Sequence, residues 1–143
     1  MDERIKDHLM HLNRYYLLLC DARNIPCETF MSSPIYQAST ERFLQLAIES
    51  CLNIGNRLIS LVQFRLPVKT PETYSDIFRC LEDIGTIDAD FTNRLIQMAK
   101  FRNRLVHLYW EIDREQIFRF LQENLDDFVT FRDNVLSFMD KNM

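Results

Sequence analysis

The sequence predicts an all-α protein, an up-and-down bundle of four to five helices that forms a single domain over residues 1–143. Glycine occurs twice and proline four times, which is too few turn residues for a many-stranded β fold. Apolar residues recur at spacings of three and four over long segments, as in amphipathic helices. A hydrophobic fraction of 47% and a charged fraction of 27% are typical of one globular domain with a substantial core.

The first half of the chain predicts two helices and a connector. Residues 3–23 carry an apolar stripe that ends at an Asn-Ile-Pro break. Residues 27–33 form the connector, after which Ser33 can cap a helix and Pro34 can occupy its first position. This second helix is predicted over about residues 35–64.

Two glycines constrain the middle of the chain. Gly55 lies inside the second helix without a turn partner, which predicts close packing against another helix. Thr70 and Pro71 offer a cap and a first-position proline for a short third helix. Gly85 stands where a C-terminal glycine would close that helix.

The last part of the chain predicts two further helices. Asp88 is placed to cap a fourth helix, whose apolar pattern falters near residues 108–113. Asp113 and Gln116 then have the spacing of a capping box. A fifth helix is predicted from there to about residue 139, with an inward face of Ile117, Leu121, Leu125, Phe128, Val135 and Met139.

The charge balance limits the kinds of partner. The net charge is −4 and the sequence pI is near 5.4, whereas a protein that coats nucleic acid through bulk electrostatics is usually basic. An RNA contact must therefore be local, or be made by an assembly that concentrates positive charge, and no DNA partner is expected. One basic run within eleven residues meets that need, although a solvated helix face is the simpler account of it: Arg94, Lys100, Arg102 and Arg104.

Cysteine spacing and the absence of targeting signals indicate a cytoplasmic protein without a membrane partner. The four cysteines, at 20, 27, 51 and 80, form no C-x-x-C pair. Cys51 and Cys80 fall in apolar periodic segments, as expected of reduced core thiols. The N-terminal residues lack the apolar run of a signal peptide, and no stretch is long enough to span a membrane.

The segment 102–109, Arg-Asn-Arg-Leu-Val-His-Leu-Tyr, carries the best candidate site. Arginine binds phosphate charge, and histidine transfers protons near neutral pH. Arg102 and His107 are five positions apart, roughly 140° around a regular helix. Either the helix ends between them or the site combines residues from two subunits. The alternative is that His107 is a hydrogen-bonded core residue.

Other polar groups give weaker predictions. His8 and His11 could share a helix face, but two ligands without a third make a metal site improbable. No metal and no cofactor are therefore expected. Three polar residues of the second helix could line a cleft or face solvent, and the sequence leaves both open: Glu49, Asn53 and Asn56.

The string Phe-Arg-Asn-Arg-Leu-Val-His-Leu-Tyr over residues 101–109 resembles the signature of the HEPN superfamily, in the R-x4-H-x-Y form of its HepT branch. The polar residue after the arginine, Asn103, is part of that pattern. Residues 74–85 resemble the segment that precedes the motif helix in this branch, and residues 110–113 resemble its continuation. In order and length, about residues 3–139 match.

The resemblance implies a four- or five-helix bundle that forms a homodimer and brings two motifs together in a cleft. It implies a metal-independent endoribonuclease, the toxin of a type VII toxin–antitoxin system of the HepT/MntA kind. Arg102 and His107 would be catalytic and Asn103 a supporting polar group. The partner would be a minimal nucleotidyltransferase, the antitoxin, which silences the toxin by adding AMP to Tyr109.

A second function, from another class, remains open. The chain could be a non-catalytic helical binding module that serves as partner or substrate of a minimal nucleotidyltransferase. Its acidic pI is compatible with this role. The two hypotheses differ in that only the ribonuclease requires His107 for RNA cleavage.

Overall fold

The computed structural model describes residues 1–143 and contains seven α-helices and one 3₁₀ turn, with no strand. The all-α fold class is confirmed. The helices are α1 (Glu3–Arg23), α2 (Cys27–Ser32), α3 (Pro34–Val62), α4 (Tyr74–Asp83), α5 (Ala89–His107), α6 (Arg114–Glu123) and α7 (Asp127–Asn142), and the 3₁₀ turn spans Tyr109–Glu111. No helix is long and apolar enough to cross a bilayer.

The long helices run alternately up and down. Asp2, before α1, binds Arg57 in the C-terminal part of α3 at 2.8 Å, so α1 and α3 are antiparallel. Arg65 Nη1, just after α3, donates to the Asn142 carbonyl at 3.0 Å, which places the ends of α3 and α7 together. Helix α4 packs against both α3 and α5 and fixes the position of α5.

Most of the side-chain caps that the sequence predicted are present at the starts of the helices. Ser33 Oγ accepts from the Tyr36 amide at 3.2 Å, with Pro34 in the first turn. Asp88 Oδ1 accepts from the Phe91 amide at 2.8 Å. Each bond satisfies an amide that has no partner within its own helix.

Three predicted boundaries were wrong. The connector 27–33 contains α2, because Phe30 is fully buried there and packs against Phe118 of α6. Helix α4 starts after Thr73 rather than at Thr70 and Pro71, because Thr73 and Asp76 form a reciprocal capping box.

The predicted fifth helix is two helices, α6 and α7, divided at residues 124–126. Helix α6 packs mainly against α1, α2 and α3, whereas α7 packs mainly against α1 and α3 and is also joined to α5 by the Asp127–Arg94 ion pair. Because the chain breaks at residues 124–126, α6 and α7 can each pack against a different set of helices. The predicted inward residues of this stretch are nevertheless all buried.

Both glycines have the predicted roles. A Cβ on Gly55 would lie 2.7 Å from Ile77 Cγ2 and 3.1 Å from Leu81 Cδ1, so α3 and α4 touch at this point. Gly85 has a φ of 86° and closes α4. Cys51 and Cys80 are buried and no cysteine is in a disulfide.

Candidate functional site at the end of helix α5

Helix α5 carries most of the candidate motif on an unbroken helix. It begins after the Asp88 cap and ends at His107. The Leu108 amide still donates to the Arg104 carbonyl at 2.9 Å. The expectation that the helix could end between Arg102 and His107 is therefore wrong, and the two side chains leave the helix in different directions.

Arg102 is held by an ion pair with α3. Its Nε and Nη2 atoms donate to Glu49 Oε1 at 3.1 and 2.7 Å. Gln45 Nε2 donates to the same oxygen at 3.1 Å. Only 13% of the Arg102 side chain is exposed, so Coulomb attraction here is less screened than at an open surface. The guanidinium group is thus oriented before any ligand arrives.

The remaining contacts of Arg102 turn it toward the neighbouring depression. Its Nη1 donates to Asn103 Oδ1 at 3.3 Å. Its guanidinium carbon lies 4.9 Å from the centre of the Tyr74 ring, within the range of a cation–π interaction. Asn103 and Tyr74 both line an open depression of about 520 Å³.

His107 lines the same depression, together with Asn56 of α3 and Thr73 and Ile77 of the α4 region. Its side chain is exposed at the last residue of α5. The alternative that His107 is a buried core residue is therefore wrong.

Tyr109 is the last residue of the motif and is exposed to solvent, so residues 109–110 form the open end of the segment. Tyr109 is 62% exposed and Trp110 is 65% exposed. Their rings meet edge to face, 5.3 Å between centres. Beyond them, Arg114 fixes the chain again, since its Nη1 donates to the Ile112 carbonyl at 2.8 Å and its Nε lies 3.3 Å from Glu41 Oε1. The exposed Tyr109 and Trp110 therefore lie between Arg102 and Arg114, two residues whose side chains are held by ion pairs.

The polar residues of α3 have three different positions. Glu49 binds Arg102, Asn56 lines the depression and Asn53 is exposed. The α4 contribution, above all Tyr74, was missed from the sequence. The Thr73–Asp76 capping box was the signal that could have located the start of α4 and placed Tyr74 in its first turn.

The basic run divides between two sides of α5. Arg94 pairs with Asp127 at 3.3 Å, while Arg102 pairs with Glu49 on another side. Lys100 and Arg104 are exposed. A solvated face thus describes part of the run, but not Arg102.

The two N-terminal histidines lie apart from this site. The rings of His8 and His11 are 6.1 Å apart. Burial and the neighbouring His11 lower the pKa of His8. No group of three or more His, Cys, Asp or Glu side chains is placed to hold a metal ion.

An α-helical bundle that presents an arginine, an amide and a histidine beside an open depression belongs to a class suited to phosphodiester chemistry. Comparison with known families makes the class specific. The chain belongs to the ribonuclease HepT-like family, whose model matches residues 5–135. This membership confirms the predicted superfamily and the predicted enzyme class, a ribonuclease.

Two relatives of similar sequence are named as RNA nucleases. The chain is 25% identical over 138 residues to the tRNA nuclease HepT of Aphanizomenon flos-aquae, covering 94% of this chain and 89% of that protein. It is 29% identical over 90 residues to the mRNA nuclease HepT of Shewanella oneidensis, covering 63% of this chain and 65% of that protein.

Solved structures share the fold. The tri-AMPylated HEPN toxin of Shewanella oneidensis, in complex with its MNT antitoxin, superposes with a TM-score of 0.86 at 23% identity, over 96% of this chain and 99% of that chain. The cytosolic protein YutE of Bacillus subtilis gives 0.83 at 20% identity, over 99% and 92%. A toxin–antitoxin structure with AMP-PNP gives 0.84 at 23%, over 94% and 99%.

Proposed function

We propose that this chain is the toxin of a type VII toxin–antitoxin pair, a cytoplasmic, metal-independent endoribonuclease that a minimal nucleotidyltransferase silences by adding AMP to Tyr109. The observation that carries the proposal is the exposed His107 beside Asn103 in an open depression, with the oriented Arg102 next to it. The tRNA and mRNA nuclease names of the two relatives support an RNA substrate.

His107 is the proton carrier in this mechanism. The 2′-hydroxyl of a nucleotide attacks the adjacent phosphorus, its proton passes to a base, and the 5′-oxygen leaves with a proton from an acid. A positioned histidine contributes a factor of about 10² to 10⁴ to such a step. The exposure of His107 allows a strand to reach its ring.

Arg102 supplies charge stabilisation. Its guanidinium group would bind the non-bridging oxygens as negative charge develops on the phosphate, with Asn103 as a supporting hydrogen-bonding group. Glu49 already occupies the Nε and Nη2 edge of Arg102. Substrate phosphate would therefore approach from the Nη1 side, where Asn103 lies.

A homodimer would complete the site. Arg102 and His107 are five positions apart on the same unbroken helix, roughly 140° around it, so their side chains start from different faces of α5. A second copy of the chain across a shared cleft would bring in a second motif. The exposed side chains of Leu108, Tyr109 and Trp110 offer apolar area near that cleft.

Tyr109 would be the control point. Its exposed hydroxyl is open to a nucleotidyltransferase, and it lies two residues from His107. An AMP group there adds bulk and a negative phosphodiester, which would compete with RNA for Arg102 and obstruct the cleft.

The first test is RNA cleavage by the purified protein in the presence of EDTA. We expect cleavage by the wild type and a loss of about 10²- to 10⁴-fold in His107→Ala. His11→Ala is the matched control, since this exposed histidine on α1 lies outside the site. Undiminished cleavage by His107→Ala would remove the catalytic assignment.

The second candidate is a non-catalytic binding module that is a partner or substrate of the nucleotidyltransferase. The acidic pI of 5.4 favours it, because bulk electrostatics do not attract RNA. It predicts a modified Tyr109 but no cleavage and no growth arrest. The His107→Ala comparison therefore separates the two candidates.

A further inference from the structure

A second pocket lies on the other side of α5, where it meets α6 and α7. It encloses about 310 Å³ and does not include His107, Asn103 or Tyr74. A cavity of this size is at the lower end of small-ligand pockets. It combines cations, side-chain amides and an aromatic floor, and none of these groups has a role in the chemistry proposed above.

The floor of the pocket is apolar and aromatic. The rings of Phe101 and Phe120 lie nearly parallel, 15° apart in plane, with 6.3 Å between centres. Met98 adds a third apolar group. Phe101 and Met98 are buried, at 5% and 3% exposure, so the half-buried Phe120 is the ring that a planar aromatic ligand such as a nucleobase could reach.

The walls carry free hydrogen-bonding groups. The side-chain amides of Gln97, Gln116 and Asn124 line the pocket, and the hydrogen bonds around them use other groups, such as Arg94 with Asp127. An amide presents one acceptor and two donors, the pattern that pairs with the edge of a base.

Arg104 provides the charge. Its guanidinium carbon lies 5.4 Å from the centre of the Phe101 ring. Arg94 is already paired with Asp127 at 3.3 Å, whereas Arg104 has no carboxylate within 4.0 Å. The pocket thus holds one cation free to bind phosphate.

The pocket also lies close to the first site. Arg104 and His107 are three positions apart on α5, and residues at this spacing are neighbours on a helix surface, about 5–6 Å between Cβ atoms. A strand bound at His107 could place its next nucleotide at Arg104 without any change in the helix.

We infer that this pocket, with Arg104 for the phosphate and Gln97, Gln116 and Asn124 for the base, is a binding site for one nucleotide unit. The nucleotide unit is either part of the RNA strand or a free mononucleotide. The first source rests on the proposed ribonuclease function, whereas the second does not.

The test uses ¹⁵N-labelled protein carrying His107→Ala, so that RNA stays intact. AMP, GMP, CMP and UMP are added separately, then a short single-stranded RNA, and the side-chain amide signals are followed by NMR. We expect the signals of Gln97, Gln116 and Asn124 to shift. Arg104→Ala should weaken mononucleotide binding about tenfold, the loss of one charge-assisted hydrogen bond. Arg119→Ala, an exposed arginine on α6, is the control and should change nothing.

The outcomes distinguish the two sources. Shifts with both mononucleotide and RNA, each weakened by Arg104→Ala, indicate a subsite for the RNA strand. Shifts with a mononucleotide alone indicate a free nucleotide. No shift with any of the four nucleotides at millimolar concentration, or equal affinity in Arg104→Ala, overturns the inference. RNA cleavage is not a readout, so failure here is separate from failure of the proposed ribonuclease.

Discussion

The two ends of the Arg102–Tyr109 segment are held very differently. Arg102 is 13% exposed and shares three hydrogen bonds with Glu49 and Asn103. Tyr109 is 62% exposed, and its ring contact is with the equally exposed Trp110. The difference indicates a site whose phosphate-binding group is preorganised within the chain, while its control group is left open to another molecule.

The largest effect should come from breaking the anchored end. Arg102→Ala should lower RNA cleavage about 10²- to 10³-fold, because the charge that stabilises the transition state is lost. It should also lower the free energy of unfolding by about 1–3 kcal/mol, since Glu49 loses its partner. Arg102→Lys should recover only part of the activity, because lysine lacks the planar fork. Single-turnover cleavage and urea unfolding measure both effects.

The control for the anchored end is Arg119→Ala, which removes the same charge from an exposed position of α6. It should leave cleavage and unfolding nearly unchanged. If Arg102→Ala behaves like this control, the ion pair with Glu49 does not mark a functional arginine.

Changes at the open end should barely alter stability. Trp110→Ala should change the free energy of unfolding by less than about 0.5 kcal/mol, as expected of an exposed side chain. Phe101→Ala, 5% exposed on the same stretch of chain, should cost about 3–5 kcal/mol. Thermal unfolding of the two variants at one low protein concentration compares them. A large loss in Trp110→Ala would mean that the open end is packed in solution.

The sequence was informative about the fold because local rules decide most of it. Ser33 and Asp88 begin helices because their side chains cap them, and Gly85 ends a helix because it adopts a positive φ. The break between α6 and α7 was not predictable, because tertiary contacts cause it and the apolar spacing continues across it.

The site was predictable only along α5. The candidate residues Arg102, Asn103 and His107 lie close together in sequence, so the sequence motif alone identifies them. Glu49 and Tyr74 come from α3 and α4, and only packing brings them to Arg102. The roles of these residues in catalysis, and of Tyr109 in control, stay predictions.

The smallest effect should separate binding from catalysis at the ion pair. Glu49→Gln keeps an acceptor oxygen but removes the carboxylate charge, so Arg102 attracts phosphate more strongly and KM should fall about two- to fivefold. Glu49→Ala should instead lower kcat, because the guanidinium group loses its orientation. Steady-state kinetics at fixed ionic strength tests this split. Identical changes in both variants would show that Glu49 acts only through stability.

The most direct measurement follows RNA cleavage before and after incubation with ATP and the cognate nucleotidyltransferase, in wild type and in Tyr109→Phe. We predict that the wild type gains the mass of AMP on the peptide that contains Tyr109 and loses cleavage, while Tyr109→Phe stays active. Full cleavage by a protein modified at Tyr109, or equal silencing of Tyr109→Phe, would contradict the account.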